Sequence, residues 1–252
     1  MKPPPATSTP LAARTRYPLV DAARGLAIVL MIGYHFVFDL HYFGVVQVDL
    51  YHAQPWLALR AFIVTLFLLL VGVSLHLAAR GGLSARRYAR RLALLVLYAL
   101  LVSAGSYMLF PDSMIFFGVL HFIALASVLG LAFVGLYRTN LVLGAGLVAF
   151  GLLYAHPLFD RPWLQWVGLM THKPVTEDYV PLLPWFGVVL IGLFLGRLVF
   201  ERRPVGPLQA APRSALARGL ALGGRHSLHI YMLHQPILLG ALYGVLWLLG
   251  RV

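Results

Sequence analysis

No cysteine occurs in the 252 residues. That excludes disulfides, thiolate metal sites, iron–sulfur clusters and a thioester on a cysteine nucleophile, and it leaves the redox compartment open. Charge is scarce as well. Only 11% of residues are Asp, Glu, Lys or Arg, against 60% hydrophobic, whereas a soluble domain carries about 25% charged residues. Too little polar material remains to cover a water-facing surface, so a soluble enzyme, a disordered regulator and a fibrous protein are excluded. A polytopic membrane protein remains. Acidic residues are the rarest charged class, 8 against 20 Lys and Arg, which gives a net charge of +12. The basic residues sit between apolar runs, as cytoplasmic loops require, and not in a nucleic-acid-binding patch. No nucleic-acid partner is expected.

A bilayer core of about 30 Å needs about 20 apolar helical residues. On that scale seven spans are expected, at 20–43, 55–79, 92–110, 115–137, 141–159, 182–200 and 227–249. The fold class is therefore all-α, a polytopic integral membrane helix bundle. Residues 1–18 are Pro-rich and polar and read as a disordered cytoplasmic tail, without the cleavage pattern of a signal peptide. Residues 19–252 read as a single transmembrane domain. Lys2, Arg14 and Arg16 precede the first span, Arg80, Arg86, Arg87, Arg90 and Arg91 follow the second, Arg138 follows the fourth, and Arg202, Arg203, Arg213, Arg218 and Arg225 follow the sixth. The intervening loops hold Asp49, Asp112, Asp160, Glu177 and Asp178, with Arg161 and Lys173 the basic exceptions. The positive-inside rule then predicts a cytoplasmic N-terminus and an external C-terminus. Residues Glu201 to His226 are long enough for a short amphipathic helix on the inner surface, or for a plain basic loop.

The first span carries Asp21, Arg24, His35 and Asp39. An Asp or Arg at a helix centre costs about 2.5–3.5 kcal/mol on insertion scales. At about 100° per residue, His35 falls within about 20° of Arg24, and Asp21 and Asp39 both fall about 60° away on one side. Tyr42 falls on the same line. Such a stripe faces the bundle interior or a water-filled cavity. The structural alternative makes Asp21 and Arg24 an interfacial ion pair and puts Asp39 in the outer headgroup region. His35 lies near mid-membrane, where an imidazole can serve as a base.

Other spans add polar positions. Arg60 lies near the outer end of the second span, where it either snorkels or meets an anionic substrate. His121 stands beside Gly118, as a packed core histidine or a substrate contact. In the last span Ser227, Tyr231 and Gln235 recur every four residues on one face, with His234 adjacent. Pro236 leaves the carbonyl of Met232 without its helical donor. In the loop before the sixth span, Glu177 and Asp178 are candidates to bind a cationic or hydroxylated acceptor.

Four segments, RYPLVDAARGLAIVLMIGYHFVFDL, MIFFGVLHFIALAS, EDYVPLLPWFGVVLIGLFLGR and GRHSLHIYMLHQPIL, resemble the heparan-α-glucosaminide N-acetyltransferase catalytic-domain family, in particular its small bacterial membrane members. The Asp-x-x-Arg-Gly start, with His35 eleven residues after Arg24, is also similar to wider membrane acyltransferases that acetylate cell-surface sugars. The resemblance implies acyl transfer from cytosolic acetyl-CoA, as co-substrate, to the amino or hydroxyl group of a sugar or glycan, in a bacterial cytoplasmic membrane. It implies an essential histidine at His35. In the animal enzyme that position is an asparagine and the active histidine lies in the first non-cytoplasmic loop, where His52 is the counterpart here after a one-residue gap.

Acyl transfer needs a base, an oxyanion donor and charge for the CoA phosphates. His35 is the candidate base, oriented by Asp39, and His234 or Tyr231 is the candidate oxyanion donor. Arg24, beside Asp21, and the cluster with Arg86 and Arg87 are candidates for the phosphates. Arg60, His121, Glu177 and Asp178 are candidate acceptor contacts. No metal or haem is expected, the partners are membrane lipid and the acceptor, and a homo-oligomer is compatible with the sequence. The alternative reading is a proton-coupled transporter or flippase of a small polar or lipid-linked solute, because intramembrane Asp, Arg and His also build proton paths. A haem-carrying electron-transfer protein is the third, without the paired histidine spacing that two haems would need.

Overall fold

The computed structural model describes residues 17–202 and 212–251. All regular structure among them is helical. Eight α-helices follow in order: α1 (Pro18–Tyr42), α2 (Gln54–Arg80), α3 (Ala85–Leu109), α4 (Val119–Gly130), α5 (Arg138–Leu153), α6 (Leu182–Arg202), α7 (Ala215–Arg225) and α8 (Ser227–Leu248). Short 3-10 turns occupy Pro111–Ser113, Leu131–Phe133, Pro157–Asp160 and Pro162–Val167. Pro18 opens α1, where its missing N–H costs nothing and its fixed φ already suits a helix. Asp21 adds negative charge at the positive end of the helix dipole.

Five helices, α1, α2, α3, α6 and α8, are long and apolar enough to cross a membrane. The expected spans 115–137 and 141–159 are shorter than the sequence suggested. Twelve residues of α4 and sixteen of α5 rise only about 18 and 24 Å. The apolar run 115–118 is a bent, non-helical segment because its polar backbone is satisfied elsewhere. The N–H of Ile115 donates to Ser106 Oγ at 2.9 Å, and the carbonyl of Phe117 accepts from Val180 at 3.2 Å. α5 stops at Leu153 ahead of His156–Pro157, where His156 is extended, as a residue before proline prefers.

The core lies between α2, α4 and α6, where Leu68, Phe122, Val189, Leu190 and Leu193 are fully buried. α2 and α6 touch backbone to backbone. A Cβ on Gly72 would come within 2.2 Å of the Val189 carbonyl, so glycine is what permits this approach. The loop ends segregate by charge. Tyr17, ahead of α1, meets Phe200 edge to face at 4.5 Å, Arg80 donates to the Phe200 carbonyl, and Arg197 donates to the Gly135 carbonyl at 3.0 Å. These contacts gather the basic loops at one end. At the other, Tyr42 meets Phe110 at 5.6 Å, and Ser113 donates to Glu177 at 2.6 Å.

Of the segment 201–226, residues 215–225 form α7, and 203–211 lie outside the described residues, as do residues 1–16 of the expected tail. α7 packs along α1 instead of lying apart from the bundle. Cβ atoms on Gly25 and Gly224 would meet the carbonyls of Leu220 and Asp21 at 1.9 and 1.7 Å. Those two contacts run in opposite directions along the helices, so α7 is antiparallel to α1.

Candidate active site

α1 and α8 bring two histidines together. The rings of His35 and His234 meet edge to face, centroids 4.9 Å apart and planes at 74°. His234 is buried, and its Nδ1 lies 2.6 Å from the carbonyl of Tyr231, one turn earlier on the same helix. A carbonyl can only accept, so in the neutral ring Nδ1 carries the proton and Nε2 the lone pair. That Nε2 is buried with no hydrogen-bond partner among the described residues.

One turn beyond His35, Asp39 is fully buried. Its Oδ1 accepts from Gln235 Nε2 at 2.5 Å. The sequence suggested that Asp39 orients His35, or that it sits among outer headgroups. Instead its carboxylate crosses to α8 and takes the side chain next to His234. Asp39 Oδ2 and Gln235 Oε1 have no hydrogen-bond partner among the described residues. Three buried acceptors are thus left open at the α1–α8 contact. Each would cost about 1–3 kcal/mol if it stayed unsatisfied, so a donor from water or substrate is the natural complement.

Toward the basic end lies a cleft of about 90 Å³. Arg24, Arg91, Ser74 and Ser227 are its polar wall; Phe67, Val119, Leu120 and Tyr231 are among the apolar residues. Arg24 is held by Asp21 at 2.8 Å and by Ser74 Oγ at 2.7 Å, while Arg225 of α7 approaches Asp21 at 3.8 Å. Asp21 is therefore the counter-ion between two arginines. Arg86 and Arg87 are exposed on the first turn of α3 and do not line the cleft; Arg91, about one turn further, does.

The acidic end is organised by the loop before α6. Asp178 Oδ2 accepts from the N–H of Val119 at 2.8 Å and caps α4. Burial pushes its carboxyl above the usual range, against the opposing pull of that N–H and of the nearby Arg60 and Lys173 charges. Glu177 is exposed and bonded to Ser113. Both nitrogens of His121 are engaged inside the protein. Nδ1 accepts from the Gly118 N–H at 3.3 Å and Nε2 meets Ser103 Oγ at 3.1 Å. Arg60 is half-buried. His52 stands apart, in an exposed turn where Asp49 accepts its backbone N–H at 2.8 Å and meets its ring Nδ1 at 3.1 Å. These bonds hold the Asp49 carboxyl below the usual range.

Sequence reasoning did not single out Gln235 as the partner of Asp39, Ser74 as the partner of Arg24, or Phe67. The four-residue spacing that includes Gln235 was a usable signal for the first; no spacing rule pairs residues across helices. Among the described residues no three His, Asp or Glu side chains are arranged to hold a metal ion.

The apolar helices, the buried polar contact between two of them and the cleft beside it define an integral membrane protein with an internal site. The model of one family, described as heparan-alpha-glucosaminide N-acetyltransferase, catalytic, matches residues 16–236. The chain belongs to this family, a family of membrane acetyltransferases. Comparison with curated proteins and with solved structures gives no match.

Proposed function

We propose that the protein transfers an acetyl group from cytosolic acetyl-CoA to an amino or hydroxyl group of a sugar or glycan at the opposite face of a bacterial cytoplasmic membrane. In this reading α4 and α5 complete a seven-span bundle with the N-terminus in the cytoplasm and the C-terminus outside. The basic end of the bundle is then the donor side. The observation that carries the reading is the contact of His35 with His234 in a member of an acetyltransferase family.

The acceptor nitrogen or oxygen attacks the thioester carbonyl and its proton passes to a histidine. The free Nε2 lone pair supports His234 as that base. His35, beside it, then donates to the oxyanion, which reverses the roles the sequence suggested, and the Tyr231 hydroxyl is a further donor. The tetrahedral adduct collapses with the CoA thiolate as leaving group. Asp39 and Gln235 fix the relation of α1 to α8 and accept hydrogen bonds from the nucleophile.

Arg24 and Arg91 hold donor phosphate in the cleft, with Arg86 and Arg87 as an outer field of positive charge. Arg60, Glu177 and Asp178 border the acceptor side, and His121 positions the start of α4. His52, exposed and bonded to Asp49, is the alternative active histidine by its loop position.

The test is sidedness in proteoliposomes of known orientation. Acetyl-CoA supplied on the side of the arginine-rich start of α3 supports acetylation of an amino sugar on the other side. Solute uptake without acetyl-CoA, and no acetylation from either side, would replace the reading with a transporter.

A further inference from the structure

Two residues both line the cleft and pack against the cluster of Ile28, Met31 and Ile63: Phe67 of α2 and Tyr231 of α8. Met31 is one turn before His35 on α1, and Tyr231 is 5.5 Å, ring to ring, from His234. The two aromatic rings thus form the wall shared by the cleft and the surroundings of the histidine pair. On the cleft side the polarity is graded along the helices. On α2, Ser74 lies at the polar end and Phe67 seven residues earlier, about 10 Å along the axis. On α8, Ser227 is followed one turn later by Tyr231. The cleft thus offers positive charge at Arg24 and Arg91 and aromatic rings at Phe67 and Tyr231. The cleft is small, about 90 Å³.

We propose that Phe67 sets the length of the acyl group that the protein accepts, by closing the apolar end of the cleft so that a two-carbon acyl fits and a longer chain meets its ring. The proposal rests on the acyltransferase reading. Tyr231 shares the wall, but its carbonyl holds His234 and its hydroxyl is an oxyanion donor in the proposed reaction, so Phe67 is the position at which size is separable from chemistry.

The experiment measures kcat/KM for acetyl-, butyryl- and hexanoyl-CoA with one fixed acceptor, in the full-length native protein and in Phe67→Leu and Phe67→Ala. Phe62→Ala, on an exposed part of α2 away from the cleft, is the control. A methylene in a tight apolar site changes selectivity by about 10- to 200-fold. The native protein and Phe62→Ala therefore favour acetyl over butyryl at least tenfold. The preference falls in the order Phe, Leu, Ala, with at least a tenfold drop between native and Phe67→Ala. Phe67→Leu keeps most of the side-chain volume, so the order is already readable in that variant if Phe67→Ala does not fold. Transfer with an acyl preference unchanged in folded Phe67→Leu overturns the filter alone. No transfer from any acyl-CoA in the native protein overturns the acyltransferase reading and the filter with it.

Discussion

The rings of His35 and His234 meet edge to face with centroids 4.9 Å apart, and His234 Nδ1 lies 2.6 Å from the Tyr231 carbonyl. One histidine is thus fixed in tautomer and the other is presented to it from a neighbouring helix. If the two act as a unit, their contributions to catalysis are not independent. His35→Ala and His234→Ala are each expected to lower kcat by about 10²–10⁴-fold, the usual reach of acid–base catalysis. The double variant is expected to fall little further, since residues of one unit are strongly non-additive. Steady-state kinetics on the three variants decide this; multiplicative losses would separate the roles.

The Asp39–Gln235 bond is the polar clasp between the same two helices. Gln235→Leu strands a fully buried carboxyl with no donor and is expected to cost about 1–3 kcal/mol. Thermal unfolding in detergent measures it. Asp39→Leu combined with Gln235→Leu removes both partners and is expected to restore much of that loss, while transfer stays impaired.

Close backbone contact between α1 and α7 predicts a sharp contrast among glycines. Gly25→Ala and Gly224→Ala each drive a methyl into a backbone carbonyl, at 1.9 and 1.7 Å, where no side chain can yield. Each should destabilise by about 1–3 kcal/mol, the usual cost of overpacking. Gly219→Ala, on the open side of α7 with nothing among the described residues within 4 Å, should be neutral or stabilising by up to about 1 kcal/mol. Melting temperatures of the three variants give the comparison.

Two loop carboxyls predict opposite pH responses. Asp178 is raised above 3.8, mainly by burial, so the fold favours its neutral form. The stability linked to it is greatest below 3.8 and is lost as pH rises through the raised value. Asp160 is lowered, first by the Thr171 backbone N–H and then by its hydroxyl. Its contribution is present above 3.8 and is lost as pH falls through the lowered value. Relative to native protein, Asp178→Asn should therefore gain Tm with rising pH across the first window, and Asp160→Asn should gain Tm with falling pH across the second. Asn keeps an acceptor for the Val119 N–H, whereas Asp178→Ala loses the α4 cap at a cost of about 0.5–2 kcal/mol.

Much of the bundle was legible from apolar run length, because the bilayer sets that length. α1, α2, α6 and α8 start and stop within two residues of the expected limits, while α3 begins seven residues earlier because its arginine-rich start is helical as well. α4 and α5 are shorter because hydropathy cannot distinguish an irregular apolar run, such as 115–118, from a helical one. The stripe on α1 was readable from helical spacing, since one helix fixes the relative direction of Arg24, His35 and Asp39. What each of them touches was not. That Asp39 takes Gln235 and His35 meets His234 depends on the rotation and depth of α8 beside α1, and a single sequence carries no term for either.

The most direct test follows radiolabelled acetyl from acetyl-CoA to a panel of amino sugars and glycans, with purified native protein beside His35→Ala, His234→Ala and His52→Ala. Acetylated acceptor that appears with native protein and His52→Ala, and falls at least a hundredfold in the other two, is the predicted result. Transfer undiminished in both His35→Ala and His234→Ala would contradict the account.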